Sequence, residues 1–439
     1  MKRTIERTLH TWKTQKQRKP LLLRGARQVG KSYLIRHFGK KEFDKYLEVN
    51  LELYPEIHNF FQTQKPNEII KNLTIFFNTP IDKDTLVFLD EIQECPSAIS
   101  SLRYFYELTP EIPIISAGSL VDFVLDSSKV QVPVGRIQYL FLYPLNFIEY
   151  LEALGEIQVI NLLESIKIKD TIPLAIHQKL LKLYKDYIYV GGMPEVISHY
   201  IENKNFPEVK RSQISLLQTY RDDFGKYANL PRHKYLQKVL SKAPALISKN
   251  LKYSAIDKET PSRDIKDALD MLVQAGIIQK IKAVTSPSLP LHYYSKDNHL
   301  KIAFLDVGLV VRSMFLEYTS IDLPNSLNVY SGVLTEQFVI QELTSYHSPF
   351  EKQEFFYWKR DKKGSSSEID LLYVLDSEVF PIEIKSGKTG TLKSLQIYKK
   401  ECNPKLCIRY SENPLSYYDN ILSIPLYMIS QTNRLIREL

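Results

Sequence analysis

The sequence has little of what marks secreted and membrane proteins. Its 439 residues contain three cysteines, Cys95, Cys402 and Cys407, too few for a disulfide framework, and no pair has zinc-finger spacing with nearby histidines. No hydrophobic run approaches the roughly 18 residues of a membrane span, and the basic residues 1–20 are not followed by the apolar stretch of a signal peptide. We therefore expect a cytoplasmic protein without a membrane partner.

Internal repeats and low-complexity tracts are also missing. Hydrophobic residues make up 44 % and charged residues 25 %, which excludes a largely disordered, collagen-like or coiled-coil chain. At about 100 to 200 residues per domain, the length predicts two to four domains. The net charge of +8 permits a polyanionic partner, but spread over a large surface it does not establish nucleic-acid binding.

An alternation of short apolar strands with helix patterns defines residues 20–150. A helix is expected from Lys31, and strands are expected at residues 21–23, 46–50, 86–90 and 112–116. This order predicts βαβ units and a parallel sheet with helices on both faces. Before it, residues 1–19 predict an amphipathic helix, because Ile5, Leu9 and Trp12 recur at helical spacing.

The strongest motif is Gly25-Ala-Arg-Gln-Val-Gly-Lys-Ser32, which fits the phosphate-binding loop G-x-x-x-x-G-K-[ST] between a strand and a helix. The glycines let backbone N–H groups and the helix N-terminus face phosphates. Lys31 is expected to reach the β- and γ-phosphates and Ser32 to ligate Mg²⁺. The predicted nucleotide-binding residues are Gly25, Ala26, Arg27, Gln28, Val29, Gly30, Lys31, Ser32, Tyr33 and Ser119.

A second motif is acidic and supplies the groups that hydrolysis needs. Four apolar residues precede Asp90 and Glu91, as in a Walker B strand: Asp90 would hold the magnesium shell and Glu91 would orient the attacking water. Ser119, at the tip of a further strand, is a candidate γ-phosphate sensor or only a strand cap. Arg136 is a candidate phosphate-reaching cation, in cis or from a neighbouring subunit, or only a loop anchor. The sequence contains no guanine-reading N-K-x-D motif, which favours ATP.

The remainder of the chain predicts three further regions. Residues 151–230 have helical periodicity and form a helical connector, and residues 231–290 read as helix, short strand, helix and strand, the order of a winged-helix module. The expected recognition helix, residues 262–275, carries three acids against two basic residues, which is poor complementarity to DNA phosphates. This module would therefore pack against protein or bind DNA through its wing.

Residues 291–439 contain a third constellation. A helix with Glu336 precedes three predicted strands, of which one carries Asp370 and the next carries Glu383 and Lys385. Strand alternation places Glu383 and Lys385 on one face, and a hairpin would bring Asp370 beside them. Asp370, Glu383 and Glu336 would then bind Mg²⁺, and Lys385 would activate a water for attack on a phosphodiester. The same alternation is also typical of any half-buried antiparallel strand.

A basic run follows the first of these strands. Residues 359–363, with Tyr357 and Trp358 beside them, are a candidate nucleic-acid contact or only a solvated loop.

Taken together, these motifs resemble a bacterial and archaeal family of AAA-type ATPases whose core is joined to a C-terminal region of unknown function. The resemblance includes Leu-Asp-Glu-Ile-Gln from Leu89, Val-Gly-Arg-Ile around Arg136, Gly-Gly-Met-Pro-Glu from Gly191 and Gly-Val-Leu-Thr-Glu from Gly332. It implies ATP binding, hydrolysis and a cytoplasmic location, but no particular substrate. Ser119 stands where the wider AAA class usually has Asn. The acidic motif around Asp370 resembles the PD-(D/E)xK nuclease fold.

We therefore expect an α/β protein with a P-loop NTPase sheet and flanking helices, then a helical and winged-helix region and a small α/β nuclease-like domain at residues 291–439. The leading hypothesis is an Mg²⁺-dependent AAA-type ATPase whose nucleotide state rearranges the C-terminal domains. Alternatives are an ATP-gated nuclease and a nucleotide-regulated scaffold with little turnover. Candidate partners besides ATP are DNA or RNA and a second copy of the chain.

Overall fold

The computed structural model describes residues 1–125, 135–227, 230–322, 330–361, 367–387 and 392–439. The chain forms two compact units. The first comprises Met1–Pro144 with two short segments, Gln274–Gly276 and Ser348–Lys352, and the second comprises the rest.

The first unit is built around a five-stranded parallel sheet with the order β2-β3-β4-β1-β5. Its elements are α1 (Glu6–Lys13), β1 (Leu21–Arg24), α2 (Lys31–Glu42), β2 (Lys45–Asn50), α3 (Pro66–Phe77), β3 (Thr85–Asp90), α4 (Pro96–Leu108), β4 (Ile114–Ala117), α5 (Val121–Leu125) and β5 (Gln138–Phe141). This confirms the predicted parallel sheet with flanking helices.

Continuous apolar runs explain the central strands. Every residue of β3 and β4 is buried, as expected for strands covered on both faces. Helix α1 buries the predicted face, with Leu9 and Trp12 almost fully enclosed, and it belongs to the first unit.

The second unit contains thirteen helices and eight strands within its described residues. The helices are α6 (Phe147–Ala153), α7 (Ile157–Ser165), α8 (Leu174–Val190), α9 (Pro194–Asn203), α10 (Phe206–Tyr227), α11 (Leu230–Lys242), α12 (Tyr253–Ile256), α13 (Ser262–Gln274), α14 (Val307–Ser313), α15 (Tyr318–Asp322), α16 (Ser331–Tyr346), α17 (Lys393–Cys402) and α18 (Thr432–Glu438). The strands are β6 (Ile278–Val284), β7 (Ser295–Phe304), β8 (Phe355–Lys359), β9 (Glu368–Leu375), β10 (Glu378–Ile384), β11 (Cys407–Ser411), β12 (Ser416–Tyr418) and β13 (Ile421–Pro425).

These eight strands form one mixed sheet with the order β12-β13-β11-β10-β9-β8-β6-β7. After α16, strands β8, β9 and β10 form an antiparallel meander, and β11 lies parallel to β10. Asp376 and Ser377 both have positive φ angles, 50° and 65°, in the tight β9–β10 connection.

The predicted winged-helix region differs from expectation in two ways. Residues 243–261, all of which are described, contain a 3₁₀ turn and α12 but no strand, and Leu251 makes one backbone hydrogen bond of 2.7 Å to Leu300. In addition, the predicted boundary at residue 290 falls between the two strands of the β6–β7 hairpin. Strand β6 also pairs in parallel with β8, so the hairpin is part of the C-terminal sheet.

Buried carboxylates hold the helices of the second unit together. Asp306 caps α14 by accepting from Leu309 N and also accepts from Gly192 N at 2.6 Å, which gives the Gly-Gly motif a structural role. Glu342 accepts from Phe147 N and from Tyr346 Oη, each at 2.9 Å. Burial raises the pKa of Glu342 to about 8.

Among the described residues, no helix combines the length and the apolar character needed to cross a membrane.

Candidate functional site

The motifs of the first unit meet at one edge of its sheet. Strand β4 lies between β1 and β3, and all three are parallel, so their carboxyl ends are adjacent. The loop from Gly25 to Gly30 follows β1, Asp90 ends β3 and Glu91 follows it, and Ser119 lies just beyond β4. Ligands of open α/β sheets bind at this edge.

The loop conformation requires glycine at its first position. Gly25 has a φ of 144°, and a Cβ there would lie 2.2 Å from the carbonyl oxygen of Leu142. Gly30, at a φ of 95°, is the residue from which α2 begins. The backbone can therefore curl tightly and direct the first N–H groups of α2 towards a phosphate.

Lys31 folds back over this loop. Its Nζ donates to the carbonyl oxygens of Gly25 at 3.0 Å and Ala26 at 2.8 Å, and the side chain is buried. Burial lowers the pKa of Lys31 to about 8, and the nearby carboxylates of Glu91 and Asp90 oppose that shift. The ammonium therefore lies within the loop, where phosphate oxygens could replace the two carbonyl oxygens as its acceptors.

Ser32 and Asp90 form the pair expected of a magnesium site. Ser32 Oγ donates to Asp90 Oδ1 at 3.0 Å, and burial raises the pKa of Asp90. A hydroxyl and a carboxylate are the oxygen donors that Mg²⁺ prefers. These two residues therefore fit the ion chemically. Tyr33, the last predicted binding residue, is 56 % exposed and stacks on His37.

Glu91 occupies an unusual backbone position immediately after the buried strand. Its φ of 50° is in the left-handed region, which re-aims the side chain at the point where the strand ends. Its Oε2 accepts a hydrogen bond of 2.6 Å from Gln93 Nε2. The sequence reasoning missed Gln93, although it lies within the quoted Leu-Asp-Glu-Ile-Gln motif.

Ser119 is brought towards the loop, as the sequence predicts for a strand tip. It is buried, and its Oγ accepts from Arg27 Nε at 3.4 Å. The loop and the tip of β4 are therefore in contact through two of the predicted residues.

Arg136 lies at the opposite edge of the sheet. Leu21 pairs with Gln138, so Arg136 precedes the amino end of β5, whereas the loop leaves the carboxyl end of neighbouring β1. The four residues of β1 lie between the two levels, about 13 Å at a rise of about 3.3 Å per residue. Arg136 instead donates to Glu107 Oε1 at 2.9 Å on the surface. The expectation that it reaches a phosphate in cis is wrong, and action from a neighbouring copy stays a prediction.

The acidic residues of the second unit also converge. Ile382 pairs with Leu371 in antiparallel register, which sets Asp370 opposite Glu383. Asp370 accepts from Ile384 N at 2.8 Å, and Lys385 Nζ donates to Glu383 Oε1 at 2.6 Å. Burial raises the pKa of both carboxyls. These pairs bring Asp370, Glu383 and Lys385 side by side.

A buried lysine that the sequence reasoning missed completes this cluster. Lys301 of β7 is 2 % exposed, lies 2.9 Å from Glu368 and places its Nζ 4.8 Å from the ring centre of Tyr357. Burial lowers the pKa of Lys301, but Glu336, Glu368 and Asp370 more than compensate, and the net shift is upward. The burial of Lys301 is hard to predict, because a lysine in a strand usually lies on the solvent-exposed face of the sheet.

The same cluster was predicted to hold a metal through Glu336, Asp370 and Glu383. Burial also raises the pKa of Glu336, with Asp370 adding to the rise. Glu383 Oε2 is buried and has no hydrogen-bond partner among the described residues, so this oxygen is suited to binding a cation. As arranged, however, no three histidine, cysteine, aspartate or glutamate side chains in the described part of the chain form a metal-holding group.

The predicted nucleic-acid contact after β8 needs correction. Tyr357 and Trp358 are buried, at 0 % and 3 % exposure, because β8 is covered on both faces. Arg360 pairs with Glu401, and Asp361 pairs with Lys296 at 2.9 Å. Lys362 and Lys363 lie outside the described residues. The aromatic side chains are therefore unavailable for stacking on bases.

Comparison with known proteins agrees with the geometry of the first unit. Residues 17–151 match a family described as an AAA domain, and residues 181–319 and 331–429 match two families described as domains of unknown function, DUF8612 and DUF4143. The parallel sheet and its loop define a P-loop domain. Together with the family match, this makes the first unit similar to AAA-type P-loop domains.

The chain also has similarity, at low TM-scores, to several solved structures. A Walker-type ATPase of Pyrococcus abyssi is 19 % identical with a TM-score of 0.43, over 71 % of this chain and 93 % of that one. AMPPCP-bound DnaA from Aquifex aeolicus is 17 % identical at 0.25, over 61 % and 86 %, and RuvB of Thermotoga maritima is 12 % identical at 0.28, over 62 % and 86 %. A search of curated proteins finds no significant match.

Proposed function

We propose that this chain binds ATP with Mg²⁺ and hydrolyses it. The observation that carries the proposal is the Ser32–Asp90 hydrogen bond at 3.0 Å, which joins the phosphate loop to the end of β3. Lys31 lies in the same loop, and Glu91 follows Asp90 directly. The four residues supply a phosphate cation, two magnesium donors and a carboxylate for the attacking water.

Each residue has a separate task. The N–H groups at the start of α2 and the ammonium of Lys31 bind the β- and γ-phosphates, and Ser32 and Asp90 hold Mg²⁺. When bound, Mg²⁺ neutralises charge that develops on the phosphate oxygens. Glu91 accepts a hydrogen bond from the attacking water and orients it.

Two substitutions test this proposal. Lys31→Ala should weaken ATP binding by at least about tenfold, because one charge-assisted contact to the phosphates is lost. Glu91→Gln should bind ATP like the wild type and lose at least about a hundredfold in kcat. Steady-state phosphate release and binding of a fluorescent ATP analogue measure the two effects, with exposed Lys41→Ala on the same helix as the control. Wild-type turnover in both variants contradicts the proposal.

We also propose that the nucleotide state rearranges the second unit, with DNA or RNA as the candidate effector. The support is the net charge of +8 and the presence of a second buried site in the same chain. Turnover measured with and without single- and double-stranded nucleic acid tests it, and stimulation identifies the partner class. High-affinity ATP binding with a single turnover would instead favour the nucleotide-regulated scaffold.

A metal-dependent nuclease is the second candidate function. It is favoured by the position of Asp370 opposite Glu383. Lys385 donates to Glu383 Oε1, and Glu383 Oε2 has no hydrogen-bond partner among the described residues. Asp370, Glu383 and Glu336 would hold Mg²⁺, and Lys385 would orient a water. Labelled DNA or RNA is incubated with protein and Mg²⁺ or Mn²⁺, beside Asp370→Ala. Cleavage that is absent under every nucleotide condition, or that persists in the variant, excludes this function for the cluster.

A further inference from the structure

Gln93 connects the candidate catalytic carboxylate with the neighbouring strand. It lies in a short 3₁₀ turn, Ile92–Glu94, immediately after Glu91, and its side chain is 8 % exposed. Its Nε2 donates to Glu91 Oε2 at 2.6 Å, whereas Glu94 Oε1 is 3.5 Å away. The amide therefore holds Glu91 through a short, charge-assisted hydrogen bond and contacts Glu94 only marginally.

The other end of the same amide reaches the tip of β4. Gln93 Oε1 is buried and has no hydrogen-bond partner in the described part of the chain. It lies so close to Gly118 that a Cβ on that residue would be 2.1 Å from it. Gly118 directly precedes Ser119, the candidate γ-phosphate sensor. One buried side chain thus spans the ends of β3 and β4.

Such an arrangement needs a reason, because a buried amide oxygen without a partner is costly. An apolar side chain of the same length would fill this space without that cost, but it could not donate to Glu91. Glu91 has a left-handed backbone conformation, and the hydrogen bond from Gln93 fixes the direction in which its carboxylate points. With Oε2 held by the amide, Oε1 is left to accept from a water.

We propose that Gln93 is a positioning residue for ATP hydrolysis, which holds Glu91 in its water-orienting conformation and links it to Gly118 and Ser119. This inference rests on the proposed ATPase function. It assigns Gln93 no direct contact with ATP. The expected signature is therefore a change in kcat without a change in nucleotide affinity.

Gln93→Met keeps the length of the side chain and removes the hydrogen bond. We expect kcat to fall at least about tenfold, with KM and the affinity for a fluorescent ATP analogue within about twofold of the wild type. Glu94→Gln, which alters the more distant neighbour, should leave kcat unchanged. Turnover of Gln93→Met at the wild-type rate overturns the inference and leaves the ATPase proposal intact.

Gln93→Glu supplies a second readout, because the ionised side chain has the same shape but cannot donate to Glu91. We expect kcat to fall at least about tenfold while KM stays within about twofold of the wild type. An unchanged kcat, or a fall in kcat matched by a loss of ATP affinity, overturns the inference even if Gln93→Met folds poorly. If the wild-type protein shows no ATP turnover at all, the ATPase proposal fails, and the role of Gln93 fails with it.

Discussion

Ser32 and Asp90, 58 residues apart in the chain, are joined by a hydrogen bond of 3.0 Å between Oγ and Oδ1. This bond connects the first turn of α2 to the end of β3. It also brings together two oxygen donors that are suited to the same divalent ion.

Ser32→Ala should therefore raise the Mg²⁺ concentration needed for half-maximal ATP turnover by about tenfold, because one oxygen donor is removed. The measurement is a Mg²⁺ titration of phosphate release at fixed ATP. Ser100→Ala, at an exposed position on α4, is the matched control. An unchanged Mg²⁺ requirement would show that Ser32 is not a ligand.

Arg136→Ala tests whether Arg136 contributes to ATP turnover within its own chain. Its ion pair with Glu107 is on the surface, and such pairs contribute about 1 kcal/mol or less. We expect a Tm within a few degrees of the wild type and unchanged kcat in dilute protein. Arg103→Ala, which removes the other partner of Glu107, is the control. If Arg136→Ala loses kcat at every protein concentration, Arg136 does act within its own chain. If the wild-type kcat rises with protein concentration and the kcat of the variant does not, Arg136 acts from a neighbouring copy.

Glu342 should make the stability of the second unit fall as pH rises. Its folded pKa, about 8, is above the ordinary value of 4.5, so between these values the folded protein keeps a proton that the unfolded chain releases. The stabilisation is complete below pH 4.5 and is lost at up to about 1.4 kcal/mol per pH unit until about pH 8.

Glu342→Gln keeps one acceptor for Phe147 N and should reduce this pH dependence. Urea unfolding at pH 5, 7 and 9 measures it, with exposed Glu202→Gln as the control. The prediction fails if wild type and Glu342→Gln lose stability equally between pH 5 and pH 9.

Lys301→Met should destabilise the second unit by about 3 kcal/mol, because removing a buried cation leaves the surrounding carboxylates uncompensated. Lys296→Met, on the same strand but in a surface ion pair, should cost about 1 kcal/mol or less. Urea denaturation of the full chain compares the two. Equal small losses would mean that Lys301 does not compensate the acidic cluster.

The contacts near the phosphate loop were largely predictable because spacing along the chain determines them. A strand, a glycine-rich turn and a helix leave few positions for Lys31 and Ser32, and an apolar run that ends in two acids predicts Asp90 and Glu91. The position of Arg136 was not predictable in the same way. It depends on which end of β5 is paired with which end of β1, and the strand order β2-β3-β4-β1-β5 is not written in any local pattern.

The contacts of the acidic cluster were also predictable only in part. The hairpin register follows from two-residue alternation and a tight turn, so the pairing of Asp370 with Glu383 could be predicted. Lys301 could not, because its strand β7 reaches the acidic cluster through β6, which the sequence pattern assigned to the winged-helix module. Its proximity to Glu368 depends on β6 pairing with β8, between residues more than 70 positions apart.

That long-range pairing has a consequence for how the chain is made. All five strands of the first sheet lie before residue 142, so this sheet can form as soon as that stretch leaves the ribosome. The β6–β7 hairpin must wait for residues 355–358 before β6 gains its second neighbour. During that interval one edge of the hairpin is exposed, which makes nascent residues 278–304 the segment at which we expect chaperones to bind or aggregation to begin.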